Sequence, residues 1–375
     1  MSFVVEHVGD ALRLSFAMFW LVLWPLALGF LLSAAVETLV SKQTIARLLG
    51  RDTPRAVALC SAFGAASSSC SYAAVALARA LFRKGATLGN AIIFEFASTN
   101  LVFELGLALL VLLGWQFLGA EFAGGLLMVV LLAVIFRLTL SRRLTAAART
   151  SAERGLLGRM EGHAAMDMSV TDGPFPRRLF SGRALTSMSH YFVMNAYSLW
   201  IDLLLGFLIA GALGAWVPDS LWSALFLTGH GAATQVWGAV IGPPIAMLSF
   251  VCSVGNIPLA AVLWRGGISF GGAVAFIFGD LIILPILDIY RKYYGARVSL
   301  YLFAVSYATM ALAGLVIGSI FEAVGAVPAS RSVAAFQTTI SWDYNTVLDI
   351  GFLLLTALIL VRFLRTGGVA MLRMM

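Results

Sequence analysis

Charge is what this sequence has least of. Only 11% of its 375 residues are Asp, Glu, Lys or Arg, against about 25% in an ordinary soluble domain. With 61% of the chain hydrophobic, a soluble fold is excluded, because a chain of this size cannot bury every face of every helix. Three cysteines, all inside apolar sequence, exclude a disulfide framework. The chain contains no G-x-x-x-x-G-K-S/T loop, so ATP drive within it is not expected. It also has no H-E-x-x-H pair, so a zinc enzyme of that type is excluded. No metal site, cofactor or enzymatic activity is expected. The opening MSFVVEHVGDALRLSF lacks a basic n-region and a small-residue cleavage site, so its apolar run is expected to remain as a helix.

What the chain has instead is apolar runs long enough to cross a bilayer, about 20 residues or more each. They read at 11–38, 86–113, 117–139, 189–215, 268–290, 298–322 and 345–366. The expected fold class is therefore an all-α polytopic membrane protein. The net charge of +7 comes from cations in short loops between these runs. That placement is a topology signal, and no nucleic-acid partner is expected.

Residues 41–82 fit no ordinary pair of spans. Lys42, Arg47, Arg51, Asp52 and Arg55 charge its start, and only about 13 apolar residues precede Ser67-Ser68-Ser69-Cys70-Ser71. About eleven more lead to Arg83-Lys84. Arms this short reach the midplane and return. A re-entrant hairpin is expected, with its tip near Gly64–Ser71. The 220–264 segment reads as a longer two-armed unit, broken at Gly242-Pro243-Pro244 and again at Cys252–Asn256.

The two units repeat. CSYAAVALARALFRKGATLGNAIIFEF, starting at Cys70, aligns without a gap with CSVGNIPLAAVLWRGGISFGGAVAFIF, starting at Cys252. Residue n meets residue n + 182, so Ser71 meets Ser253, Arg83 meets Arg265, Gly85 meets Gly267 and Gly89 meets Gly271. Repeated halves with broken helices are a sequence mark of transporters. The expected organisation is a first transmembrane repeat at 1–139, a basic, partly disordered cytoplasmic linker at 140–187 and a second repeat at 188–323. An outer loop, an extra helix and a tail fill 324–375. With the Arg-rich linker inside, the N-terminus falls outside and the C-terminal tail inside. The two copies are then inverted in the membrane, and only Arg265 breaks the charge pattern.

Cys70 and Cys252 hold the same point of both copies. Their thiols are soft ligands, beside hard oxygens at Ser69, Ser71 and Ser253 and the amide of Asn256. One reading is a soft-ligand site on a translocation path; the other is small-residue helix packing. Cys60 reads as packing. Among carboxylates placed in apolar spans, Glu95 and then Asp280 are the proton-coupling candidates. Glu104 reads as a cap or a partner near Asn100, Asp288 as facing Arg291 or Lys292, and Asp202 as a further candidate. His230, Gln235 and Asn195 read as polar groups facing an interior or a cavity.

The segments Cys70–Gly89 and Cys252-Ser253-x-Gly255-Asn256-x-Pro258-Leu259, with Arg265-Gly266-Gly267, resemble the bacterial predicted-permease family that includes the organoarsenical-efflux permeases. The first copy departs from that pattern at Tyr72–Ala76, and Phe96–Leu101 lacks the family's proline. The resemblance implies a secondary transporter of the bacterial inner membrane, surrounded by lipid. Its partner is a small-molecule substrate, with trivalent organoarsenicals exported by some members. A homodimer remains open. So do a permease or channel for a non-metalloid solute and a non-transporting membrane subunit or intramembrane enzyme.

Overall fold

Leu126, Val130, Val134 and Leu138 recur every fourth residue and are 57%, 56%, 49% and 77% exposed. An apolar stripe of that length left open to solvent is stable only against lipid. It lies on one helix of the computed structural model, which describes residues 2–39, 50, 52–67, 71–83, 85–153, 168–170, 181–249, 253–331, 342 and 344–372. Every regular element among them is helical.

The first half comprises α1 (Ser2–Leu39), α2 (Pro54–Ser67), α3 (Ser71–Arg83), α4 (Leu88–Asn100), α5 (Phe103–Leu112) and α6 (Trp115–Thr139), followed by α7 (Arg142–Glu153). The second comprises α8 (Gly182–Trp216), α9 (Asp219–Leu225), α10 (Ala232–Ser249), α11 (Ser253–Gly266) and α12 (Phe270–Ile277). A 3-10 turn (Phe278–Ile282), α13 (Leu284–Tyr294) and α14 (Ala296–Ala323) complete it. α15 (Tyr344–Arg365) and α16 (Gly368–Leu372) end the chain.

Among the described residues, five stretches are long and apolar enough to cross a membrane: 7–32, 88–112, 115–139, 296–323 and 346–365. The 270–294 stretch becomes a sixth if its 42° bend is one broken span. The expected span at 189–215 lies within α8, whose Leu203–Trp216 part is a shorter apolar helix among the described residues. The polar start of the 140–187 segment is no structureless linker at 142–153. There α7 buries Ala148 and Ala152 against α3, α13 and α14.

The arms expected in 41–82 are α2 and α3, of 14 and 13 residues. Each is about 20 Å long at 1.5 Å per residue, short of the roughly 30 Å hydrocarbon core. Both pack on α4, as α10 and α11 pack on α12. The break between the arms, residues 68–70 and 250–252, lies outside the described residues.

The n + 182 register recurs in the backbone. Gly85 and Gly267 both have φ of 110°, which glycine adopts without a Cβ penalty. Gly85 N–H bonds the Phe82 carbonyl at 3.2 Å, and Gly267 N–H bonds that of Trp264 at 3.2 Å. Two residues on, Thr87 and Ser269 cap α4 and α12 by accepting from the N–H of Asn90 and Gly272, at 3.2 and 3.1 Å. Ser67 and Ser249 end α2 and α10 by donating to Gly64 and Ala246 three residues back. A Cβ on Gly64 would stand 2.8 Å from that of Ala97, and one on Gly279 would stand 2.4 Å from that of Ala246. The small partner has changed sides while the close contact remains.

The two turns sit far apart. Gly89, after the first, lies against Phe136, whereas Phe270, after the second, packs on Phe117 with ring centroids 4.8 Å apart and the planes tilted by 58°. Phe117 and Phe136 are near opposite ends of α6, about 28 Å apart along the axis. α1 and α8, which open the two halves, run antiparallel. Ala11 and Ser15 meet Gly211, Phe19 meets Phe207, and Phe30 meets Phe192. α15 joins this pair through the buried Asp349, whose Oδ1 accepts from Trp24 N–H at 2.9 Å.

Candidate functional site

The polar centre forms where the helices stop. In α4, the side chains of Ser98, Thr99 and Asn100 bond backbone carbonyls of Glu95 and Phe96. Such back-bonding competes with the helical ladder, and the chain leaves helix at Leu101-Val102 before α5 resumes. The helical ladder is thus interrupted inside the expected span at 86–113, while 88–112 remains one stretch long and apolar enough to cross a membrane. The second half breaks at the matching place: the 3-10 turn of 278–282 ends in an extended Ile283, with Pro285 in the first turn of α13.

These breaks bring Glu95 and Asp280 into one buried cluster. Asp280 Oδ2 accepts from Ser71 Oγ at 2.7 Å, a bond joining the first residue of α3 to the second half. Glu95 Oε1 accepts from the Tyr290 hydroxyl of α13, so each half supplies one acid and a donor for the other's. Asp280 interacts electrostatically with Glu95 and also with Glu121 of α6. Among the described residues, neither Glu121 oxygen has a hydrogen-bond partner, and Glu95 Oε2 and Asp280 Oδ1 have none either. No described group of three or more His, Cys, Asp and Glu side chains could hold a metal ion. The cluster is a set of buried acids bridged across the two halves by the Ser71 and Tyr290 hydroxyls.

On its Tyr290 side the cluster meets a layer of aromatic and cationic groups. Tyr294 contacts Phe82 edge to face at 6.1 Å. The buried Arg79 lies 4.2 Å over the Tyr293 ring and donates to the Ala152 carbonyl of α7 at 2.8 Å. α7 thereby closes the bundle beneath the acids.

Of the other residues singled out in the sequence, Cys70, Ser69 and Cys252 lie outside the described residues. Ser253 and Asn256 are buried in the first turn of α11. Asn256 Oδ1 accepts from Ser249 at 3.0 Å, tying the two arms across the second break, while its Nδ2 has no described partner. Asp288 pairs with Arg291 and Lys292 at 2.7 and 2.6 Å, as its spacing indicates. Glu104 is buried in the first turn of α5 against Gly29, where the helix dipole favours an acid. Cys60 is buried in packing. His230 faces no interior: it is exposed on the α9–α10 connection, with Nδ1 3.1 Å from the Leu227 carbonyl. Glu121, Tyr290 and Arg79 were missed. Glu121 stands in the 117–139 span and meets the same rule that singles out Glu95; nothing local marks Tyr290 or Arg79.

Apolar helices broken around a buried acid cluster define a class, the polytopic helical permeases. Within it, this chain belongs to the predicted permease family ArsP_1, whose model matches residues 7–319. It is 56% identical over 337 residues to the Mycobacterium tuberculosis protein named "Putative permease Rv2963", covering 90% of this chain and 83% of that protein. It is 24% identical over 311 residues to the Escherichia coli K12 protein named "UPF0718 protein YraQ", covering 82% of this chain and 80% of that one. No solved structure matches the chain.

Proposed function

We propose that this permease is a proton-coupled secondary transporter of the bacterial inner membrane, carrying a small thiophilic solute such as a trivalent organoarsenical out of the cell. Cys70 and Cys252 hold the cargo, with Ser69, Ser71, Ser253 and Asn256 beside them. Glu95, Asp280 and Glu121 carry the protons. The observation that carries this reading is the Ser71–Asp280 bond. It ties the residue next to Cys70 directly to the acid cluster, so occupancy of the break and protonation of Asp280 are mechanically linked.

The two halves act as inverted repeats, with the N-terminus outside and the C-terminus in the cytoplasm. Support comes from the antiparallel α1 and α8 and from the two equivalent turns at opposite ends of α6. Rocking of one half against the other then exposes the breaks to each side in turn.

Proteoliposomes carrying the full protein test the reading. Trivalent methylarsenite transport is expected to depend on an imposed pH gradient. Cys70→Ser with Cys252→Ser is expected to abolish transport, and Glu95→Gln to remove the pH dependence. Unchanged methylarsenite transport by the double cysteine variant would sink the thiophilic cargo. Pumping without any response to the gradient would sink the coupling.

A further inference from the structure

The two halves differ in one respect that bears on ligands. In the second, α10 packs along α14, and Tyr307 of α14 donates to the Val240 carbonyl of α10 at 3.1 Å. In the first, the counterparts α2 and α6 barely touch. Between them, floored by α4 and closed at one end by α7, lies a cavity of about 1390 Å3.

Its wall is graded. Leu126, Val130 and Val134 of the lipid-facing stripe line its length, while Arg137, Arg142 and Arg149 gather at one end. The lining also contains Asp52, which the Thr87 hydroxyl engages. Arg149 lies 4.7 Å over the Phe82 ring and is held in place by it. Arg137 and Arg142 make no ion pair with any described residue. From Leu126 to Arg137 the helix rises about 16 Å. Half of a roughly 30 Å hydrocarbon core is about 15 Å, so the apolar wall has the depth of one leaflet and the cations fall at headgroup level.

We propose that this groove is a binding site for one anionic phospholipid, with its phosphate on Arg137, Arg142 and Arg149 and an acyl chain along Leu126, Val130 and Val134. Charge complementarity commits the occupant, since a zwitterionic headgroup brings a cation of its own to three guanidinium groups. The chain leaves α6 at Leu140 and turns into α7, and the Arg79–Ala152 bond holds α7 beneath the bundle. A lipid seated there would brace that helix against α4 and α6. The inference is independent of the cargo and of proton coupling.

Native mass spectrometry and thermal melting of the purified full-length protein, with phosphatidylglycerol or phosphatidylcholine of the same acyl chains, test it. Phosphatidylglycerol is expected to stay bound at collision energies that strip phosphatidylcholine, and to raise the melting temperature further. The variant Arg137→Gln/Arg142→Gln/Arg149→Gln is expected to lose that difference. Ala133→Trp, which fills the groove and leaves the arginines in place, is expected to lose the bound lipid. Equal retention of the two lipids by the unaltered protein overturns the proposal. So does a phosphatidylglycerol preference that survives in both variants, or complete displacement of the lipid by soluble glycerol phosphate.

Discussion

A carboxylate in hydrocarbon costs about 3 kcal/mol unless it is neutral, paired or hydrated, and this chain buries Glu95, Glu104, Glu121, Asp280 and Asp349. They resolve the cost differently. Asp349 accepts a backbone N–H and anchors α15, which is a structural use. Glu95 and Asp280 each accept a hydroxyl from the other half of the chain while keeping one oxygen without a described partner, which suits groups that gain and lose protons. Removing the Tyr290 hydroxyl in Tyr290→Phe is expected to destabilise the protein by about 1.5 to 3 kcal/mol, the worth of a hydrogen bond to a charged group. A stability loss of only about 0.5 to 1.5 kcal/mol in chemical denaturation would mean that Glu95 is neutral in the resting state. Ser71→Ala and Asp280→Asn are expected to be non-additive by about 0.5 to 3 kcal/mol in a double-mutant cycle, and additivity would break the proposed link between the first break and the acid cluster. Glu95 and Asp280 were legible in the sequence because an acid inside an apolar run violates the local solvent. Their donors were not, since a tyrosine or serine 195 or 209 residues away is an ordinary residue in its own segment. His230 failed for the opposite reason: a polar residue flanked by apolar ones looked interior, yet it caps a surface turn.

At the scale of the element, segment length and the n + 182 register carried most of the information. Apolar arms too short to cross appear as α2 and α3, and the Arg-Gly turns recur with the same φ and the same capping bonds. Glycine is required there, since φ of 110° places a Cβ against the backbone. Gly85→Ala and Gly267→Ala are therefore each expected to cost about 1 to 3 kcal/mol, with similar shifts in melting temperature. A shift at one site and none at the other would mean that the repeated turns do not do the same structural work. What the sequence hid were the interruptions made by hydrogen bonding rather than by charge or proline. Ser98, Thr99 and Asn100 interrupt the helical ladder inside the 86–113 span, although hydropathy reads straight through them. The converse holds for α7: its composition is that of a solvated loop, and it becomes a packed helix because Arg79 and the aromatic rings above it offer a partner surface.

For the whole molecule, the two equivalent turns at opposite ends of α6 have a consequence for the membrane. A polar turn carrying an exposed arginine sits outside the hydrocarbon, and about 28 Å of helix separates the turn at Gly85 from the one at Gly267. Under the proposed inverted arrangement, the two turns face different compartments. In that arrangement Arg265, the one cation at odds with a cytoplasmic placement of positive charge, lies on the far side. There it is joined by Arg331, which stacks 4.3 Å over Trp264 and donates to the Trp264 and Ile268 carbonyls at 2.6 and 2.9 Å. Arg331 is held by aromatic and backbone contacts local to the turn, so it carries less weight as a topology signal than the cations of ordinary loops. The test is side-specific labelling of Arg83→Cys and Arg265→Cys, each made in a protein whose three native cysteines are replaced by serine. A membrane-impermeant maleimide is expected to reach Arg265→Cys in intact cells and Arg83→Cys only in inside-out vesicles. Labelling of both from the same side would mean that the halves share one orientation, and an alternating-access mechanism built on their exchange would lose its geometric basis.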